Sequence, residues 1–122
     1  MKFISDCEYL KGKLWYVGTP YSKYPLGLEM AFQHSSMLIG DLLRKGVTGY
    51  SPIVHTHPVA IYSEIDPYSH EIWMPFDKKM MEVTGGMLVA MMDGWETSKG
   101  IGMEIDEFES MGKRIVYMGV EK

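Results

Sequence analysis

Short apolar segments rich in β-branched and aromatic residues alternate with amphipathic helical patterns along this chain of 122 residues. Leu14 to Gly18 predicts a first strand, which is closed by turn-forming residues. Apolar residues from Leu28 to Leu43 recur every three or four positions, which predicts a helix from near Pro25 to Gly46. Such alternation is typical of a parallel sheet covered by helices. The sequence therefore predicts one α/β domain over residues 1–122, with three layers and four to five parallel strands.

The remaining elements follow from the same patterns. Residues 55–74 are rich in His, Pro, Tyr and Ser and have no clear period, which predicts a long loop of the functional or mobile kind. The other predicted elements are a strand over 47–54, a short helix over 75–83, a buried strand over 86–92, a helix over 99–111 and a last strand over 114–118.

Composition excludes several classes of function. The net charge of −4 argues against a nucleic-acid polymer as partner, because phosphate contacts need a basic surface. No apolar stretch approaches the roughly 18 residues that span a bilayer, and residues 1–13 lack the apolar core of a signal peptide. The single cysteine, Cys7, excludes an intrachain disulfide and favours a reducing, cytoplasmic compartment.

The segment from Asp93 to Glu104 is the most informative part of the chain. It follows the predicted strand over 86–92 and leads into the helical pattern of Ile101 and Phe108. On a helical wheel, Glu104 falls on the apolar side of this helix, with Gly100 one turn earlier on the same face. A carboxylate on an apolar face is costly unless it is paired or used. The pattern therefore indicates a small-molecule site.

Two further polar segments are expected near it, because ligands of open α/β sheets bind beyond the carboxyl ends of the strands. Gly18, Thr19 and Ser22 belong to the loop after the first strand, which either holds a polar or anionic ligand or is an ordinary turn. The imidazoles of His55 and His57 lie on one side of a predicted extended segment. Zinc needs at least one more ligand, so polar residues lining a pocket mouth are the favoured interpretation; we predict no metal and no cofactor.

Other candidate residues have two interpretations each. Asp77 lies near the predicted start of its helix, so it is either an N-cap or a second carboxylate that faces Glu104. Asp93 is either a turn former or a ligand contact. Trp95 and Trp73 lie near predicted loops, where they either stack on a flat base or sugar or cover the core.

Three segments together resemble the nucleoside 2-deoxyribosyltransferase-like superfamily, and in particular a small uncharacterised branch of it. They are the motif Tyr16 to Ser22, the segment Ser51 to Ile53, and Gly94-Trp95-x-x-Ser98-x-Gly100-x-x-x-Glu104. The resemblance extends from about residue 14 to residue 118, and Ser-x-Gly-x-x-x-Glu is its specific part.

This resemblance implies a flavodoxin-like or Rossmann-like fold and a nucleoside or nucleotide as the ligand. It implies that Glu104 is the nucleophile that attacks C1′ of a deoxyribosyl group, that Ser98 contacts a 5′-phosphate, and that Asp77 assists the leaving base. Tyr16 would line the site. It also implies a homo-oligomer, since the transferases of the superfamily complete their site with a residue from a neighbouring subunit.

Two rival hypotheses use other chemistry. A non-catalytic nucleotide or nucleotide-sugar binding module would use the same pocket without needing Asp77. A metal hydrolase would be centred on His55 and His57.

Overall fold

In the computed structural model, which describes residues 1–122, the chain folds into five strands and four α-helices. The strands are β1 (Lys2–Phe3), β2 (Leu14–Gly18), β3 (Thr48–Tyr50), β4 (Gly86–Met91) and β5 (Arg114–Glu121). The helices are α1 (Leu28–Arg44), α2 (Pro52–Tyr62), α3 (His70–Val83) and α4 (Lys99–Ser110). Short 3-10 turns cover Glu8–Leu10 and Trp95–Thr97.

The two central strands carry apolar side chains on both faces of the sheet. Successive side chains point to opposite faces, so Trp15 and Val17 of β2 pack with Leu38 and Leu42 of α1 in one core cluster. Tyr16 lies between them in sequence and packs in the other cluster, whose members on the helices are Met81 of α3 and Ile101 and Phe108 of α4. Helices therefore cover both faces of the sheet.

The prediction of a parallel flavodoxin-like or Rossmann-like sheet is wrong. The strand order is β1-β5-β4-β2-β3, and the sheet is mixed because β1 runs antiparallel to β5, with Lys2 opposite Glu121. Only the pairings among β2, β3, β4 and β5 are parallel. The chain start is held at this edge by burial of Phe3, whose backbone N–H donates to Asp41 Oδ2 at 2.9 Å.

The predicted loop over 55–74 and the predicted strand over 47–54 are also wrong. The strand is limited to β3, and residues from Pro52 onward form α2, which carries His55 and His57. Ser51 caps this helix by accepting a hydrogen bond from the Val54 N–H at 3.2 Å. The two imidazoles therefore point to nearly opposite sides of a helix and do not lie on one side of an extended segment.

The predicted start of the helix over 75–83 is wrong as well, because this helix, α3, begins at His70. Asp77 consequently lies in the middle of α3 and cannot be its N-cap. The predictions of β2, β4, α1 and α4 are confirmed to within a few residues at their ends. No helix of this chain is both long and apolar enough to cross a membrane.

Candidate functional site

One cavity lies where the loop after β2 meets α2, α3 and the start of α4. Its walls combine polar side chains from all four segments with apolar surface. The residues of the lining that carry reactive or hydrogen-bonding groups are Thr19, Tyr21, Ser22, Thr56, Tyr68, Ser69, His70, Trp73, Asp77, Ser98, Lys99 and Glu104. The cavity therefore occupies the carboxyl end of β2, where the alternating fold was expected to place a ligand.

Glu104 directs its carboxyl into this cavity from the second turn of α4. The buried hydroxyl of Tyr16 on β2 donates a hydrogen bond to Glu104 Oε2 at 2.6 Å. Gly18 lies beside the other oxygen, since a Cβ at that position would be in ordinary van der Waals contact with Glu104 Oε1, at 3.5 Å. Tyr16 packs in turn against Phe108 with ring centroids 5.4 Å apart. The carboxyl is therefore held by a rigid phenol on the central sheet.

Asp77 enters the same cavity from α3 and has an unusual environment. Its Oδ1 atom is buried and has no hydrogen-bond partner. The hydroxyl of Tyr50, on the neighbouring strand β3, is likewise buried and unpartnered. Buried polar atoms are nearly always hydrogen-bonded, so these two atoms depart from the usual pattern and call for an explanation. A polar group that reached the Asp77 oxygen would satisfy it.

The two carboxyls hold their protons more tightly than usual. Burial raises the pKa of Asp77 to about 6. Burial also raises the pKa of Glu104 to about 8, while the Tyr16 hydrogen bond opposes this rise and the charge of Asp77 adds to it. Glu104 is partly exposed as a whole residue, yet its carboxyl end is the enclosed part, held between Tyr16 and Gly18. Between these two pKa values the pair carries one proton.

Five other predicted site residues lie at or beside the cavity. Thr19, Ser22, Ser98 and Gly100 line it, and Gly18 lies next to the carboxyl of Glu104. Ser98 is also the N-cap of α4 and accepts a hydrogen bond from the Ile101 N–H at 3.3 Å. The helix start with its free N–H groups therefore opens onto the cavity, which favours an anionic ligand group there.

Asp93 and Trp95, which were also predicted to contact the ligand, lie outside this lining. Asp93 is exposed and forms an ion pair with Lys122 at 3.4 Å. The indole of Trp95 packs against Tyr117 of β5 with ring centroids 5.8 Å apart. Trp73, by contrast, lines the cavity, and its indole N–H donates to the backbone oxygen of Asp66 at 2.9 Å.

The two candidate metal ligands do not form a metal-binding group: Nδ1 of His55 is buried without a hydrogen-bond partner, whereas both ring nitrogens of His57 are hydrogen-bonded. His55 stacks on Phe76 with ring centroids 4.4 Å apart, and His57 bonds to Tyr21 and Glu29. No group of three or more His, Cys, Asp or Glu side chains is arranged to hold a metal ion. The arrangement thus offers no support for the metal hydrolase hypothesis.

Sequence reasoning missed the polar wall that α2 and Tyr21 contribute. The Tyr21 hydroxyl lies 2.7 Å from His57 Nδ1, and His57 Nε2 lies 2.7 Å from Glu29 Oε2. A usable signal was present in Ser51-Pro52, because serine at the N-cap and proline at the first helical position mark a helix start. That signal would have placed His57 on a helix; neither His55 nor His57 lines the cavity, and His57 contacts it only through Tyr21.

Comparisons with known proteins identify the chain only at the level of a family. No curated protein matches it. The sequence model of one protein family, a domain of unknown function (DUF1937), matches residues 13–120. This range includes every residue that lines the cavity. The match covers most of the chain and carries no activity with it. The chain belongs to the DUF1937 family of domains of unknown function.

Proposed function

We propose that this protein cleaves the N-glycosidic bond of a nucleoside or nucleotide, or transfers its glycosyl group to a second base. Glu104 is the nucleophile and Asp77 the proton donor. The observation that carries the proposal is the carboxyl pair, in which Glu104 is held by Tyr16 and Asp77 has a buried oxygen without a partner. The resemblance of Ser98-x-Gly100-x-x-x-Glu104 to the nucleoside 2-deoxyribosyltransferase-like superfamily supplies the reaction class.

The chemistry follows the two-carboxyl scheme of retaining glycosidases. A Glu104 oxygen attacks C1′ while the C1′–N bond breaks, and the bonding electron pair leaves with the base. Asp77 donates its proton to the departing nitrogen. Water then attacks C1′, gives a proton to Asp77 and releases Glu104; a second base in place of water gives transfer. The first step leaves the pair without a proton, and the second returns one proton to Asp77, so the complete cycle restores the starting state.

The reactive arrangement places that proton on Asp77, whereas in the free site Glu104 has the higher pKa. The substrate favours the exchange, because positive charge develops at C1′ in the oxocarbenium-like transition state. A cation beside Glu104 stabilises its ionised form and moves the proton towards Asp77. Tyr16 assists, since its hydrogen bond stabilises the carboxylate.

The part of the cavity formed by the start of α4 suits the phosphate group of a substrate. Ser98 and Lys99 stand at the start of α4, where backbone N–H groups and the helix dipole favour an anion. Lys99 adds a positive charge to the same wall. We therefore expect a nucleoside 5′-monophosphate to react faster than the matching nucleoside.

The test is base release from a panel of deoxynucleosides and their 5′-monophosphates. Glu104→Gln should abolish release, while Glu109→Gln, on the exposed side of the same helix, should not change it. Turnover by Glu104→Gln equal to that of the wild type would remove Glu104 as nucleophile. Failure of the wild type on the entire panel would refute the proposed function.

The pH profile tests the carboxyl pair separately. The reactive form has one proton, so kcat/KM should fall below about pH 6, where both groups are protonated, and above about pH 8, where both are ionised. A rate that stays constant from pH 5 to pH 9 would contradict the shared-proton scheme.

The role of Asp77 is tested with the leaving group. Asp77→Asn should lower kcat for an ordinary purine deoxynucleoside by about 100-fold or more, the range of general acid catalysis. An N7-methylated purine already carries a positive charge and leaves as a neutral base, so its release should not depend on Asp77. An equal loss on both substrates would show that Asp77 does not donate the proton.

One observation favours a non-catalytic nucleotide-binding module instead. In the free site, the proton of the pair resides mainly on Glu104 at neutral pH, and a protonated carboxyl is a poor nucleophile. Under this alternative, a nucleoside monophosphate would raise the melting temperature of the protein without releasing any base.

A further inference from the structure

Tyr21, His57 and Glu29 form a hydrogen-bonded chain that ends in the cavity. The Tyr21 hydroxyl lies 2.7 Å from His57 Nδ1, and His57 Nε2 lies 2.7 Å from Glu29 Oε2. His57 is 5% exposed, and its ring stacks on Phe32 with centroids 4.7 Å apart and an interplanar angle of 21°. Its orientation is therefore set on both edges and on one face.

The carboxylate at the outer end determines which ring nitrogen carries the proton. The hydrogen bonds from His57 and Gln33 lower the pKa of Glu29, so it is ionised and only accepts. Nε2 of His57 must then donate to it, and in the neutral ring Nδ1 is left as an acceptor. With His57 neutral, the Tyr21 hydroxyl consequently donates its one proton to Nδ1.

This arrangement decides what Tyr21 presents to the cavity. Tyr21 lines the same cavity as Asp77 and Glu104. Burial raises the pKa of Tyr21 to about 12, so the phenol stays neutral. With its proton committed to His57, the oxygen has only lone pairs left for a ligand.

We propose that Tyr21 is a specificity-determining residue that accepts a hydrogen bond from a sugar hydroxyl of the ligand, and that His57 and Glu29 act as positioning residues that keep it an acceptor. The inference rests on the proposed function, which makes the ligand a nucleoside or its monophosphate. It goes further by requiring a donor at one position of the sugar. A hydroxyl replaced by hydrogen or by a methyl ether would lack the proton that Tyr21 needs.

The protein contains a matched control for the Tyr21–His57 hydrogen bond. Tyr24 and His34 form a second tyrosine–histidine pair with the same 2.7 Å separation and the same edge-on ring geometry. Tyr24 does not line the cavity, and no carboxylate bonds to His34. Tyr24→Phe therefore makes the same chemical change as Tyr21→Phe away from the ligand.

The first experiment measures kcat/KM for 2′-deoxyguanosine and its 3′-deoxy, 3′-O-methyl, 5′-deoxy and 5′-O-methyl analogues. At one of the two positions, the wild type should have a kcat/KM about 10-fold lower for both the deoxy and the O-methyl analogue than for 2′-deoxyguanosine. This factor is the scale of one hydrogen bond. Tyr21→Phe should lose this discrimination and treat the analogues alike, while Tyr24→Phe should keep it. Equal discrimination by Tyr21→Phe and the wild type would overturn the inference.

The second experiment tests the positioning residues without relying on turnover. Nitrogen-15 NMR of the imidazole in the free protein should show His57 in the Nε2–H form, and Glu29→Ala should yield a mixture of both tautomers. Glu29 has a side chain that is 61% exposed, so this change leaves the cavity walls in place. Glu29→Ala should also weaken the discrimination at the same sugar hydroxyl.

The possible failures are distinguishable. An Nδ1–H tautomer in the wild type would overturn the acceptor role of Tyr21 even if nucleosides react. Turnover of 2′-deoxyguanosine with no discrimination at either hydroxyl would overturn the inference and leave the proposed function standing. No turnover or binding of any nucleoside or monophosphate would overturn both.

Discussion

Replacing Glu104 with glutamine should stabilise the fold while it removes activity. Burial raises the pKa of the Glu104 carboxyl from 4.5 to about 8 in the folded protein. Relative to the unfolded chain, an acid with a raised folded-state pKa lowers stability progressively as pH rises from the unfolded-state pKa to the folded-state pKa, so the cost of Glu104 is absent below about pH 4.5 and complete above about pH 8. Glutamine has nearly the same shape and keeps an acceptor for Tyr16, but it never ionises.

The magnitude follows from the pKa values. Each pKa unit corresponds to about 1.4 kcal/mol, so ionising Glu104 in the folded state costs at most about 5 kcal/mol. The residue is partly exposed, and nearby water reduces this cost. We therefore expect Glu104→Gln to raise the free energy of unfolding by about 2–4 kcal/mol at pH 9, where the wild-type carboxyl is ionised. At pH 4.5 the two proteins should differ by less than about 1 kcal/mol.

Urea denaturation at the two pH values measures this difference directly, with unchanged m-values as the sign that only stability has changed. Glu109→Gln is the control, since its exposed side chain should contribute little at either pH. Parallel pH dependence in Glu104→Gln and the wild type would refute the argument, because it would mean that the Glu104 carboxyl is not desolvated by the fold.

Further changes test the hydrogen bond to Glu104 and the packing of the sheet. Tyr16→Phe removes the hydrogen bond that lowers the pKa of Glu104, so the alkaline limb of the pH–rate profile should move to higher pH; kcat/KM should fall by about 10–100-fold, the scale of a charge-assisted hydrogen bond. An unmoved limb would contradict this role of Tyr16. Gly86→Ala should destabilise the fold by about 3 kcal/mol, because its Cβ would lie 2.8 Å from the backbone oxygen of Arg114. Gly85→Ala meets only a flexible lysine side chain and should cost less; equal thermal unfolding of the two variants would refute the comparison.

The parts of the fold that were predictable have a strong local period. β4 is buried on both faces of the sheet and is therefore a continuous apolar run, which is easily recognised. The apolar stripe of α4 showed that Glu104 lies on the inner face of that helix. α2 escaped prediction because it is apolar around most of its circumference and contains Pro58, so its periodicity is weak. β1 has two residues and no period at all, and its antiparallel pairing depends on contacts with the opposite end of the chain.

The same distinction between local and long-range information divides the candidate site. A helical wheel shows which way Glu104 points, but the phenol that receives it is 88 residues away in sequence, on β2. The Tyr21–His57 contact likewise spans 36 residues and exists only because α2 packs beside the loop after β2. Candidate site residues such as Glu104 could thus be found from the sequence one at a time, whereas their partners could not. The partners set the pKa values and the direction of the hydrogen bonds, so the roles proposed for Glu104 and Tyr21 depend on tertiary contacts.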